Sequence, residues 1–239
     1  MAVGCSHGNR ANQDALAAVL LFREQFKPDE VIHLGDAYDL ASLRAGSLNN
    51  ANDSDAADDY LSDIDEGRKF LDALRPTVFC LGNHDERAKR YLSHHNAVVR
   101  GYAEAVWTRM LEPITNHCRV FIDSHTVLPQ SWFRLGGYSW GHGILYSENF
   151  LRDTAETWGN TVVAHAHRAG IATGRRADNP QCLSPGTLSD LPCMEYALRR
   201  RSTLAWSHGI VFGEYTDTTA QLYLHRWNQG EKQWSLPSF

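Results

Sequence analysis

Thr77-Val78-Phe79-Cys80-Leu81-Gly82-Asn83-His84-Asp85-Glu86 is the stretch on which the reading of this chain turns. The first five residues are apolar or β-branched and predict a short buried strand over 77–81. Gly82 then frees the backbone to turn, and four polar side chains follow at once, each able to bind a metal or move a proton. The same order, an apolar run closed by donor side chains beside glycine, recurs along the chain. It appears as Gly4-Cys5-Ser6-His7-Gly8, as Gly35-Asp36-Ala37-Tyr38-Asp39 after Val31-Ile32-His33-Leu34, and as Gly141-His142-Gly143. It appears again as His165-Ala166-His167 after Thr161-Val162-Val163-Ala164. In α/β sheets the ends of strands form the usual ligand crevice, and glycine there lets backbone approach a metal or a phosphate. One such group is commonplace in turns; five in one chain point to a shared centre.

Working outward, helical spacing is expected over 11–26, with Leu16, Val19, Leu20 and Phe26 on one face and Pro28 marking the end. An amphipathic helix is expected over Tyr60–Leu74, and further helices over 87–93, 101–111 and 147–158, the last with Ser147 as N-cap. The polar stretch 44–59 reads as an exposed, mobile loop. Strands are expected over 119–122, 134–140 and 161–164, near Ile171 and Cys182, and over 210–215 and 221–227. The last two should pair as a hairpin around Thr216-Asp217-Thr218. Strand–helix alternation early and strand-rich sequence late predict a layered α/β/β/α sandwich of two mixed sheets flanked by helices. The 239 residues read as one domain over 1–239.

Composition narrows the function classes. The net charge is −5 and the pI about 6.2, so nothing pulls the whole molecule toward nucleic acid. The run Arg199-Arg200-Arg201 reads as a solvated face. Five scattered cysteines without C-x-x-C spacing argue against a disulfide framework and for a reducing cytoplasm. No membrane span and no secretory signal are expected. His33 reads as a core or supporting residue, His94 and His95 as a helix end, and His117, His125, His208 and His225 as structural. Tyr196, Trp206, Tyr215, Tyr223 and Trp227 read as core and hairpin packing rather than a base-stacking platform.

The order C-x-H, G-D-x-x-D, G-N-H-D, a lone His and H-x-H, running from Cys5 to His167, resembles the signature of the calcineurin-like metallophosphoesterases, phage and bacterial members above all. Ser184-Pro185-Gly186-Thr187 is similar to that family's N-P-G-[ST] turn. The resemblance implies two divalent metal ions (Mn, Zn or Fe), one held by Cys5, His7, Asp36 and His167, the other by Asp36, Asn83, His142 and His165. A bridging carboxylate suits such a pair, since it offsets the repulsion between two cations. In H-x-H on an extended segment, alternate side chains share a face and so could reach neighbouring metals.

The implied activity is hydrolysis of a phosphate ester, as a phosphomonoesterase or a phosphodiesterase, with a metal-bridging hydroxide attacking phosphorus. His84 would protonate the leaving oxygen or clamp a phosphate oxygen, with Asp39 orienting it. Asn83, Arg87 and Arg168 are candidate phosphate contacts. The expected substrate is a phosphorylated small molecule or a nucleotide. Nuclease action stays open but is not favoured, and a degenerate scaffold that binds a protein partner is the alternative from another class.

Two positions depart from the family pattern. Cys5 stands where the family has Asp. It is either a thiolate ligand, which would favour zinc or iron, or a neutral thiol beside a weak first site. Leu40 stands where an Arg often follows G-D-x-x-D.

Overall fold

The computed structural model describes residues 1–50, 52–193, 205–227 and 235–237. Tyr196 and the arginine run at 199–201 lie outside them. The chain begins with strand β1 (Ala2–Val3) and helix α1 (Gln13–Phe26), then β2 (Ile32–His33), α2 (Ala45–Asn49), α3 (Tyr60–Leu74) and β3 (Val78–Cys80). After them come α4 (Glu86–Lys89), α5 (Ala97–His117), β4 (Val120–Ile122), β5 (Phe133–Leu135), β6 (Tyr138–Gly141) and α6 (Phe150–Trp158). The last strands are β7 (Thr161–Val163), β8 (Ala169–Thr173), β9 (Gln181–Pro185), β10 (His208–Tyr215) and β11 (Ala220–Trp227).

Helix ends follow side-chain chemistry. Asn12 caps α1 by accepting from the Ala15 amide at 3.0 Å, and Asp59 and Asn96 cap α3 and α5 in the same way. Helices α1 and α3 both close through a left-handed residue, Lys27 and Arg75.

Two mixed sheets form the middle of the molecule. In the first the order is β11-β10-β1-β2-β3-β4. Its strands β1 to β4 run parallel, while β10 lies antiparallel to both β1 and β11. In the second the order is β5-β6-β7-β9-β8, with β6, β7 and β9 parallel. The sheets pack face to face through Ile32, Leu34, Val78, Cys80, Trp140, Val162, Leu183 and Val211. Helices α1 and α3 cover the outside of the first sheet through Val19, Phe22, Phe70 and Leu74, which meet Val3, Ile210 and Trp227. Met110 and Ile114 of α5 pack with Ile64, Leu71 and Phe79, and Phe150 and Ala155 of α6 close the second sheet against Val163 and Cys182. This is the layered α/β/β/α arrangement.

Four local expectations need correction. The stretch 134–140 is a hairpin rather than one strand, because Gly136 and Gly137 both adopt positive φ (59° and 77°) and turn the chain between Leu135 and Tyr138. The stretch 44–59 is organised: it holds α2 and a turn of 3-10 helix, and Arg44 pairs with Asp53 at 2.7 Å and Asp55 at 2.9 Å. Its polarity reflects internal pairing of charges. Ser147 is not an N-cap; its hydroxyl donates to Asp153 at 3.0 Å, and the capping position belongs to Asn149. Helix α5 runs through Pro113 instead of stopping at Leu111, since Met110 and Ile114 on either side are buried. Among the described residues, no helix is long and apolar enough to cross a membrane.

Phe22 is fully buried, with ring centroids 5.1 Å from Phe26 and 5.2 Å from Phe212. Phe22→Ala should destabilise the fold by about 3–5 kcal/mol, read as a lower urea midpoint with an unchanged slope.

Candidate metal centre

The strands stop early because the residues after them leave the extended conformation. Cys5, His7, Asp36, His165 and His167 all have positive φ, between 53° and 63°. A left-handed conformation costs a non-glycine residue roughly 1–2 kcal/mol, and such strain gathers at functional sites. Backbone hydrogen bonds impose it here. The Cys5 amide donates to the Gly35 carbonyl at 2.8 Å and the His7 amide to the Asp36 carbonyl at 3.0 Å, which locks the ends of β1 and β2 together. The Thr187 hydroxyl and the Leu188 amide both donate to the Cys5 carbonyl, at 2.8 and 3.0 Å, so the Ser184–Thr187 turn fixes the first donor segment. H-x-H is not extended: β7 ends at Val163, and His165 and His167 lie in a turn with Ala166 donating to Ala164 at 2.7 Å. The turn, rather than strand alternation, aims the two rings.

Three groups of donor atoms result among the described residues, one of them His7, Asp39 and His84 and the other two joined at Asp36. One ligand atom each from Cys5, His7, Asp36 and His167 lies within 4.8 Å of the others. The same holds for Asp36, His142 and His165, and Asn83 Oδ1 joins them, 3.0 Å from His142 Nε2 and 2.9 Å from His165 Nδ1. Asp36 belongs to both groups. His142 donates Nδ1–H to the Leu34 carbonyl at 2.7 Å, so its Nε2 faces Asn83 Oδ1, His165 Nδ1 (3.1 Å) and Asp36 Oδ2 (3.3 Å). In the first group His7 Nδ1 meets Asp39 at 2.8 Å, and His7 Nε2 faces His167 Nε2 at 3.0 Å. His167 Nδ1 is buried with no hydrogen-bond partner among the described residues. Lone pairs thus converge on lone pairs with few protons to share, which is a donor set fitted to cations.

The electrostatics agree with that fit. Burial holds His7 below the ordinary histidine value despite Asp39. Burial and His142 lower His165 to about 3, and burial and His7 hold His167 well below the ordinary histidine value. Neutral imidazoles are the form that binds metal. Burial would also lower His142, but the charge and hydrogen bond of Asp36 outweigh it and raise the group; a bound cation would compete for that proton. Burial opposes ionisation of Asp36 and Asp39, yet the neighbouring imidazoles hold both carboxyls well below the carboxylate range. Burial, reinforced by Asp36, pushes the Cys5 thiol well up.

Asp39 Oδ1 lies 2.8 Å from Nδ1 of both His7 and His84, so one carboxylate orients the two rings. Arg87, on α4, is buried and donates to the Asp39 carbonyl at 2.7 Å and toward His84 Nε2 at 3.2 Å. Arg168 falls in none of these donor groups. Its guanidinium donates to the carbonyls of Tyr146, Ser147 and Glu148 and lies 4.7 Å from the Phe150 ring.

Several site residues escaped the sequence reading. Asp85 accepts from the amides of Asp36 (2.9 Å), Gly82 (2.8 Å) and Tyr38 (3.0 Å) and so sets the backbone at Asp36. Burial and the Asp36 charge push it up to about 7. A Cβ on Gly82 would collide with Asp36 itself. Asp63 accepts from the Leu40, Asp39 and Asn9 amides; a carboxylate on the apolar face of α3 was its signal. Arg10 reaches Asp39 at 3.3 Å and Asp55 at 2.8 Å, with nothing in the sequence to mark it. Trp206, read as core packing, instead sets its ring 4.4 Å from that of His167.

Fold and site together define a metallophosphoesterase, a hydrolase of phosphoric esters. The model of the calcineurin-like phosphoesterase family matches residues 1–196, and the chain belongs to that family, whose members are in general dinuclear, metal-dependent phosphoester hydrolases. Among solved structures, a metallophosphoesterase from Sphaerobacter thermophilus is similar at 16% identity and a TM-score of 0.46, over 95% of this chain and 87% of that one. No curated protein matches the chain.

Asp85→Asn would set an amide N–H against one of three backbone donors. The expected loss is about 1–3 kcal/mol, measured by urea unfolding of the metal-free protein.

Proposed function

We propose that the protein is a dinuclear metal-dependent hydrolase of phosphate esters. Cys5, His7, Asp36 and His167 would hold one divalent cation, and Asp36, Asn83, His142 and His165 the other. The observation that carries this reading is the placement of Asp36, whose carboxylate joins two otherwise separate sets of donor atoms. Bound divalent cations supply Lewis acidity, lowering the pKa of water and offsetting charge on the phosphoryl oxygens.

The chain's own residues do the rest. His7 donates its Nδ1–H to Asp39 and keeps Nε2 for the centre. His84 presents Nε2 beside Arg87, and with Asp39 behind it the ring is positioned to hold a phosphate oxygen or to deliver a proton to the leaving oxygen. A guanidinium only donates, so Arg87 and a protonated His84 would repel. A phosphate oxygen between them relieves that repulsion, which makes Arg87 and His84 a joint anion clamp. Asn83 lies on the rim of both the donor set and the clamp.

The net charge of −5 weighs against a nuclease. All five cysteines are free, which suits a reducing compartment, and we place the protein in the cytoplasm on that ground. Cys5 we assign as a ligand, because its sulfur shares the 4.8 Å group with three further donors; a thiolate would shift preference toward zinc or iron over manganese.

Protein loaded with Mn, Zn or Fe should hydrolyse p-nitrophenyl phosphate and hold two metals per chain by elemental analysis. Asp36→Asn should lower kcat/KM at least about 100-fold with loss of metal, and His84→Ala should lower kcat by about 100-fold or more with metal retained. Metal-loaded protein inert toward aryl phosphates and diesters would defeat the reading, and metal-free protein after gentle purification would favour the scaffold alternative. The cobalt-substituted protein should show a near-ultraviolet thiolate charge-transfer band that disappears in Cys5→Ser; a spectrum unchanged by that substitution would remove Cys5 from the ligand set.

A further inference from the structure

The two oxygens of the Asp39 carboxylate are held in different ways. Oδ1 lies 2.8 Å from Nδ1 of both His7 and His84. Oδ2 is buried and accepts no hydrogen bond among the described residues. What faces it is Arg10, whose Nε lies 3.3 Å away in an ion pair, with the two side chains 11% and 0% exposed. Solvent screens such a pair little. The terminal torsion of an aspartate is soft, so the rotation of this carboxylate depends on what stands at Oδ2.

Arg10 is itself tied down on several sides. Its Nη2 meets Asp55 at 2.8 Å and Asp58 at 3.8 Å. Its Nη1 donates to the Cys193 carbonyl at 3.4 Å, and its own carbonyl accepts from the Asp190 amide at 2.6 Å. Asp55 is buried and is fixed in turn by Arg44 at 2.9 Å. The guanidinium is therefore a fixed reference for Asp39 and does not follow the carboxylate if it turns.

The two imidazoles depend on Asp39 to different degrees. His7 has its amide on the Asp36 carbonyl and its Nε2 turned to His167, so that ring has other anchors. His84 takes both contacts of its Nδ1 from Asp39, the carboxylate at 2.8 Å and the carbonyl at 3.1 Å. A turn of the Asp39 carboxylate releases His84 first.

We propose that Arg10 is a positioning residue for the hydrolysis: it fixes the rotation of the Asp39 carboxylate and, through it, the ring of His84. This rests on the hydrolase reading of the centre. Arg10 acts at one remove, through Asp39, and the segment that carries Asp55 acts at two, by holding Arg10.

In the metal-loaded protein, Arg10→Gln should lower kcat toward p-nitrophenyl phosphate by about tenfold, the equivalent of one charge-assisted contact, with KM and metal content little changed. Arg10→Lys should restore part of the loss, and Asp55→Asn, which loosens the anchor of Arg10, should fall between. Should Arg10→Gln fail to fold, these two variants carry the same readings. A double-mutant cycle separates positioning from general damage. In the His84→Ala background Arg10→Gln should cost nothing further, because the ring it acts on is gone. The same loss repeated in that background, or full kcat in Arg10→Gln, overturns the proposal while leaving the hydrolase intact. Nitrogen-15 spectra of the histidine rings in metal-free protein read the link without turnover: the Nδ1 resonance of His84 should move in Arg10→Gln, and an unmoved resonance overturns the proposal. Wild-type protein inert toward p-nitrophenyl phosphate counts against the metal centre instead, and the spectra still decide the role of Arg10.

Discussion

The carboxylate of Asp36 is the point on which the structure depends. It sits where two sets of donor atoms meet, buried, at a left-handed residue, and three constraints keep it there. The Gly35 carbonyl receives the Cys5 amide, the Asp36 carbonyl receives the His7 amide, and the Asp36 amide is held by Asp85. A side chain at position 82 would occupy its space. The packing of two sheets is what brings β1, β2, β3, β6 and β7 to one end, so that residues distant in sequence share a neighbourhood of a few ångström. Fold and site are therefore one requirement: the short strands are as long as the sheets need, and each gives way to donor residues as soon as it leaves the core.

A buried array of this kind is costly unless its charges are organised. The structure does so in tiers. The imidazoles stabilise Asp36 and Asp39, Asp39 orients His7 and His84, and Arg10 ties Asp39 to Asp55. Asp63 and Asp85 stand behind the loops as acceptors of backbone amides, Asp85 holding that of Asp36 itself. The acidic segment that resembles a disordered loop is part of this arrangement through Asp53 and Asp55.

The sequence made the strand ends legible because their pattern is local: an apolar run, a glycine, then a donor. Helix α3, with its amphipathic period, was readable to its ends for the same reason. What could not be read depends on partners far along the chain. Asp85 looks like one more motif residue until its three backbone donors are seen, and Arg10 carries no local mark at all. The Gly136-Gly137 turn was legible in principle and was hidden by the apolar residues around it. Helix α5 crosses Pro113 because burial on both sides outweighs a local breaker. His165 and His167 lie in a turn and not on the expected extended segment, since a turn and a strand can both present alternate residues to one place.

Strand β10 lies between β1 and β11, with Ala2 opposite Val211, and the carbonyl of Cys5 is held by Thr187 and Leu188. The Cys5 segment is thus secured by a residue 182 positions further along the chain. During synthesis the Cys5 carbonyl must wait for Thr187 and Leu188 to emerge from the ribosome before it is held. A chain ended before Thr187 would present the Cys5 segment without the two bonds that hold its carbonyl.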